Sequence, residues 1–350
     1  MENAGISKVD GFQALTCLDD GSTELTRHAP LEPGRGEVLV SLRVCGLCGT
    51  DLFKLENASQ PAGTVLGHEL VARVEECGAG VEGFSPGDRV VVAHHVSCGE
   101  CVYCLSGSET MCEGFRRNRL SPGGFSESII VEEAAVSLAM RIIPDSVSDE
   151  TAVFLEPAAC VLRGITRSGI IAGGSAVILG GGSMGLLHLL VLKAAIPEVV
   201  VGVVEPLEDR RELALSLGAD FSCTPETSAS SVHGLSEGRG ADAVFDTVGG
   251  SGALTAGIEL GRQGSTVVLF AHASPGELAD FELNRLFKEE RRLISSYSGS
   301  VKEQEIVWEM MLSGDLDPIA LVSARVSLEN FSQALELVQA RGALKVLIEP

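Results

Sequence analysis

Gly180-x-Gly182-x-x-Gly185 stands between two apolar runs, SAVILG (175–180) and SMGLLHLLVLKAA (183–195). Such a motif is weak evidence alone, but a strand before it and a helix after it supply the context it requires. The first glycine permits a tight turn, the second lets backbone approach a pyrophosphate, and the third lets helix pack on strand. The helix start then offers free N–H groups and a partial positive charge to phosphates. Glu205 ends the next apolar run, EVVVGVVE (198–205). A carboxylate there accepts from both hydroxyls of an adenosine ribose and repels a 2′-phosphate. Gly180, Gly182, Gly185 and Glu205, with Arg210 flanking the ribose, therefore form a predicted NAD site. NADP is the lesser alternative, kept open by Arg210 and Arg211.

The same texture continues beyond the motif. LEDRRELALSLG (207–218) reads as a helix, and ADAVFDTVG (241–249) and STVVLFA (265–271) as strands with a helix between them. Alternation of buried strands and helices predicts a doubly wound parallel sheet covered on both faces. The first 150 residues differ. EVLVSLRVCG (37–46), ELVARVEEC (69–77) and DRVVVAHH (88–95) read as strands, separated by the turn signals PGRG and SPGD. They predict a small β-barrel whose loops carry polar groups. The last fifty residues read as helix, loop, helix and strand.

Cys98, Cys101, Cys104 and Cys112 follow the spacing C-x2-C-x2-C-x7-C. Four thiolates on one short lobe are what a closed, tetrahedral structural zinc site requires, and such a site holds a loop without doing chemistry. A second set is scattered: Cys48 in VCGLCGTD, His68 in LGHE and Glu156 in FLEPAAC. One cysteine, one histidine and one carboxylate, with water as the fourth ligand, would make an open catalytic zinc site.

With these motifs in order, the chain resembles the zinc-containing medium-chain dehydrogenase/reductase superfamily, in the branch of the polyol (sorbitol) and threonine dehydrogenases. CGTD, GHE, PGDRV, the four-cysteine lobe, GGFSE, LEPAAC, the glycine motif and KVLIEP carry the resemblance from end to end. It implies an α/β protein with a GroES-like β-barrel catalytic domain (1–150 and 299–350) and a Rossmann NAD-binding domain (151–298). It implies two Zn²⁺ per chain: a catalytic one on Cys48, His68 and Glu156, and a structural one on the four-cysteine lobe. Cys48, followed by Gly-Thr-Asp, matches the ligand position, and Cys45 does not. Asp51 would fix the tautomer of His68, Thr50 would bond the substrate oxygen and pass on its proton, and Glu69 would coordinate zinc or stand beside it. Lys345 falls where relatives place a basic residue near the cofactor phosphates. Phe53 replaces the histidine that relays the proton in many relatives, leaving Lys54, His95 or water for that task.

The implied activity is hydride transfer between a secondary alcohol (a polyol, a cyclitol, a sugar-like or amino alcohol) and NAD(H), in an interdomain cleft. Two other readings use the same residues: a non-catalytic zinc and nucleotide binder, and a biosynthetic ketone reductase. The net charge of −22 argues against nucleic acid and anionic membrane as partners. A small-molecule alcohol or ketone is the expected substrate, and a homodimer or homotetramer the expected assembly. MENAGISKVDGF has no basic start followed by an apolar core, so no secretory signal is read there and a cytoplasmic setting with reduced thiols is expected. The apolar stretch 176–192 contains glycines and His188, and reads as buried strand and helix rather than a membrane span. Cys17, Cys45, Cys77, Cys160 and Cys223 read as ordinary thiols.

Overall fold

The computed structural model describes residues 11–350; the segment read for a secretory signal lies mostly outside them. The chain divides into two compact units. One runs up to Glu156 and resumes at Pro318–Pro350, and the other is Pro157–Asp317. The second unit therefore begins and ends later than the 151–298 expected. Residues 299–317 group with it because the helix Val301–Ser313 is tied to its first helix: Arg163 faces Glu303 at 3.6 Å, and Gly299 packs against the backbone of Ala159 and Cys160.

The first unit is a GroES-like β structure. Its main sheet runs in the order Val322–Ser327, Lys345–Glu349, Val38–Gly46, Glu69–Cys77, Arg89–Ala93, Met140–Ile142, with Ser128–Val131 also pairing on Val38–Gly46. The alternation of VLVSLRVCG and the nearly continuous burial of RVVVA produce this sheet, since Val38, Val40, Leu42 and Val90–Val92 are all buried. The register fixes where the strand ends meet. Leu347 lies opposite Gly46, and Gly46 lies opposite Glu69, so three strands bring their ends to one place. The strand Val322–Ser327, parallel to the last one, was not anticipated; SARVS carries too few apolar residues to signal a strand.

The segment leaving the barrel is pinned by charge. Asp149 accepts from Arg43 Nε (2.6 Å) and Arg89 Nη1 (3.1 Å), while Arg89 Nη2 donates to the carbonyls of Pro144 and Val147. The Asp149 side chain is only 9% exposed. Asp149→Ala is expected to cost about 2–3 kcal/mol in urea unfolding, because it leaves two guanidinium groups without their shared carboxylate.

The second unit is a Rossmann fold. Its six parallel strands lie in the order Phe221–Cys223, Val200–Val204, Ser175–Leu179, Ala241–Asp246, Gly261–Leu269, Arg292–Ser295. In chain order that is third, second, first, fourth, fifth, sixth, the doubly wound arrangement with a switch point between the first and fourth strands. The helices Ser183–Ala195, Glu208–Ser216, Ser228–Leu235 and Gly250–Leu260 connect them. The stretch 176–192 is indeed a buried strand and helix, and no helix among the described residues is long and apolar enough to cross a membrane.

Candidate metal centre and nucleotide turn

Cys48 caps the helix Gly49–Glu56 with an extended backbone (φ −102°, ψ 150°). Its N–H donates to Asp51 Oδ2 at 3.1 Å, and the Asp51 N–H returns a bond to the Cys48 carbonyl at 3.0 Å. This reciprocal cap holds the Asp51 carboxylate, fully buried, with Oδ1 3.3 Å from His68 Nδ1. With Nδ1 held by Asp51, Nε2 of His68 is the ring nitrogen left to face a metal. Burial works against a charged imidazole, yet the Asp51 carboxylate and Cys48 hold His68 well above its ordinary pKa. Burial also works against a charged Asp51, yet His68 holds its carboxyl below the usual range.

Glu69 follows His68 directly and begins the next strand. Its carboxylate lies across Gly46, where a Cβ would sit 1.9 Å from Oε2, so only glycine admits it. Lys345 Nζ donates to both Glu69 oxygens, at 2.8 and 2.7 Å, and stands 5.6 Å from the centre of the Phe154 ring. Lys345 is 2% exposed and Glu69 fully buried. Burial would release the ammonium proton, but Glu69, Cys48 and Glu156 together raise the Lys345 pKa.

The donor atoms of Cys48, His68 and Glu69 lie within 4.8 Å of one another. Glu156, the carboxylate expected to complete this set, is not in that group. It opens the helix Leu155–Ser168, close enough for its charge to act on Lys345. The carboxylate in that group is Glu69, next to His68 in the chain and expected to coordinate zinc or stand beside it. Lys345, expected near cofactor phosphates, pairs instead with Glu69. Chemically the donor set fits a dication: a thiol sulfur, an imidazole nitrogen and a carboxylate oxygen are ligand types that Zn²⁺ takes. Thr50 lies in the first turn of the Cys48 helix. Cys45 is buried, and burial followed by Asp51 and Glu69 pushes its thiol well up.

Beside His68 stand two further imidazoles. His94 packs on it at 4.8 Å between ring centres, His95 on His94 at 3.5 Å, and Phe115 on His95 at 4.8 Å. Burial, then the charge of His68, pushes His95 down to about 3, so it is neutral near pH 7. This stack was not legible as a unit, because only the strand end at Ala93 sets His94 on His68 and His95 on His94.

The lobe gathers its four thiols. Sγ–Sγ distances are 3.9 Å for Cys98–Cys104, 3.5 Å for Cys101–Cys104 and 3.5 Å for Cys98–Cys112. A tetrahedron with Zn–S bonds of about 2.3 Å has edges of about 3.8 Å, so the cage has the size of a zinc site and is too open for disulfides. The Cys98 N–H also points at Cys112 Sγ (3.4 Å). Burial raises Cys112, but the N–H groups of Cys98 and Phe115 bring it down to about 6, which favours a thiolate.

In the second unit, Gly180 has φ +97°, a conformation that favours glycine, and lies against Thr247 at the switch point. A Cβ on Gly185 would meet the Gly180 carbonyl at 1.9 Å. Gly185→Ala is expected to weaken NADH binding about tenfold or more and to cost about 2 kcal/mol. Fluorescence titration and thermal unfolding check the two effects. Gly182 caps the helix Ser183–Ala195, with Arg210 Nη1 3.9 Å from its Cβ position. The Glu205 carboxylate is already engaged: Oε2 accepts from Gly181 N at 2.6 Å and Oε1 from Leu207 N at 3.0 Å. Arg211 is turned inward onto the carbonyls of Glu205 and Pro206.

A GroES-like barrel holding a Cys-His-Glu group, a four-thiol lobe and a Rossmann sheet define a zinc-type dehydrogenase, and the chain belongs to the zinc-containing medium-chain dehydrogenase/reductase superfamily, in its polyol and threonine branch. Residues 34–142 match the alcohol dehydrogenase GroES-like domain, and 183–313 the zinc-binding dehydrogenase family. It is 31% identical to the L-threonine 3-dehydrogenase of Pyrococcus horikoshii (90% of this chain, 92% of that one). It is 28% identical to the sorbitol dehydrogenase of Halalkalibacterium halodurans (91% and 93%). Among solved structures, a zinc-binding dehydrogenase from Sinorhizobium meliloti bound to NADP matches with TM-score 0.84 and 28% identity (97% and 99% covered). The alcohol dehydrogenase TADH from Thermus sp. ATN1 matches with TM-score 0.83 and 26% identity (96% and 99%).

Proposed function

We propose that this alcohol oxidoreductase uses Zn²⁺ and NAD to interconvert a secondary alcohol, of the polyol, cyclitol or amino-alcohol kind, and its ketone. The observation that carries the reading is the convergence of Cys48, His68 and Glu69 donor atoms within 4.8 Å, on a fully buried Asp51. A divalent zinc bound there supplies Lewis acidity that lowers the pKa of an alcohol, and the nicotinamide supplies a hydride acceptor. The chain does the rest. Cys48 and His68 present one soft and one borderline ligand atom, and Asp51 keeps His68 Nδ1 protonated so that Nε2 is free to coordinate. Lys345 donates to both Glu69 oxygens and so gives that buried carboxylate a paired cation. Thr50 is the hydroxyl assigned to take the substrate proton. Phe53 offers no proton carrier and His95 is held neutral, so the proton continues from Thr50 through water. In the second unit the glycine turn and the start of the Ser183–Ala195 helix bind the pyrophosphate, and Glu205 faces the ribose.

The test is initial-rate turnover of zinc-loaded protein with NAD and with NADP against polyols, cyclitols, 2,3-diols and threonine. A preference for NAD of about tenfold or more is expected from Glu205. Loaded protein that binds NADH yet reduces neither cofactor with any of these alcohols would support the non-catalytic binder instead.

A further inference from the structure

At the end of the Rossmann sheet opposite the glycine turn there is a cavity of about 520 Å³. The glycine motif follows the carboxyl end of Ser175–Leu179, and this cavity opens at the amino end, where Ser175, Val200 and Ala241 begin their strands. A five-residue strand spans roughly 16 Å, so the two places are separate.

Its wall is apolar. Val177 and Val200 come from the sheet, and Val232 from the helix Ser228–Leu235. The Phe221 ring reaches over Gly202, where a Cβ would fall 2.0 Å from its tip, so the missing side chain at Gly202 is what lets this aromatic wall form. The mouth carries charge. Asp242 accepts from the Ser175 N–H (2.8 Å) and Oγ (2.7 Å) and from Arg262 Nε (2.5 Å). Arg262 Nη1 donates to the Gln263 carbonyl, which leaves Nη2 with no partner among the described residues. Arg239 has as its nearest carboxylate Glu237, at 3.6 Å, with both side chains more than two-thirds exposed. Asp242 is therefore satisfied by its own neighbours, and two guanidinium groups at the mouth have donors to spare. That is notable in a chain with 48 acidic and 26 basic side chains.

We infer that this cavity binds a small amphiphilic carboxylate, with its apolar body against Phe221 and Val232 and its two oxygens at Arg239 and Arg262. A guanidinium with donors to spare suits a two-oxygen anion, and a cleft of this size, lined by apolar and polar groups alike, admits a short aliphatic or aromatic tail. The apolar wall disfavours inorganic phosphate, which has no body to bury.

The experiment is methyl-resolved NMR of the full chain, saturated with NADH, titrated with hexanoate, with hexanamide and with inorganic phosphate. Hexanoate is expected to shift the Val177, Val200 and Val232 methyls with a millimolar Kd, and hexanamide to do so about tenfold more weakly. Arg239→Glu is chosen because that side chain is exposed and makes no hydrogen bond that the fold needs; it is expected to weaken hexanoate about tenfold and to leave hexanamide unchanged. Three results would overturn the inference: no shift of these methyls, equal binding of hexanoate and hexanamide, or undiminished hexanoate binding by the Arg239 variant. Shifts produced equally by phosphate would also overturn it, marking a bare anion site.

Discussion

Alanine at Cys48 is expected to leave one metal per chain where two are expected in the parent, and to lower kcat/KM by about a thousandfold or more. The thiolate is the softest ligand of the group and the only one offered by the barrel's first helix. Losing the Lewis acid forfeits several kcal/mol of charge stabilisation, and each 1.36 kcal/mol is a factor of ten in rate. The substitution should not unfold the helix. The cap that fixes Asp51 uses the Cys48 backbone N–H and carbonyl, which alanine keeps. Elemental analysis and circular dichroism on one preparation check both halves of this expectation. Glu69→Ala and Glu156→Ala separate the two carboxylates: metal loss is expected to be greater in the former.

Lys345→Met is the second large effect. Its ammonium is the sole cation bonded to the Glu69 carboxylate among the described residues, and both groups are buried. Removing it strands a carboxylate beside Asp51 and the Cys48 thiol, at an expected cost of about 3–5 kcal/mol in the metal-free protein. Pairing it with Glu69→Gln should restore much of that loss, since the orphaned charge goes with it. The pH dependence has a definite sign. The folded pKa of Lys345 lies above its ordinary 10.5, so its contribution is constant below that value and fades as pH rises through the folded pKa. Denaturant midpoints of the parent, both single variants and the double variant, taken near neutral and at high pH, test these statements.

Much of this fold is readable in the amino-acid sequence, and the reasons are local. ELVARVEEC (69–77) and SMGLLHLLVLKAA (183–195) coincide with the strand and helix found, because period and burial agree there. The four-cysteine lobe is legible because its ligands are near neighbours in the chain. Glu69 adjoins His68 in the chain, so its place in the donor group is legible, whereas where Glu156 stands depends on the placement of a helix far along the chain. Lys345 cannot be placed at Glu69 without knowing that Leu347 lies opposite Gly46, a pairing across nearly the whole chain. Glu205 is expected to face a ribose. That its oxygens also hold the N–H groups of Gly181 and Leu207 is a matter of backbone geometry within the turn.

The most direct measurement is anomalous diffraction at the zinc edge from crystals of the zinc-loaded protein. Two ions per chain are predicted, one bonded to Cys48 and His68 with the Glu69 carboxylate beside it, and one among Cys98, Cys101, Cys104 and Cys112. A map with density in the four-thiol lobe alone, and none at Cys48, would contradict the account.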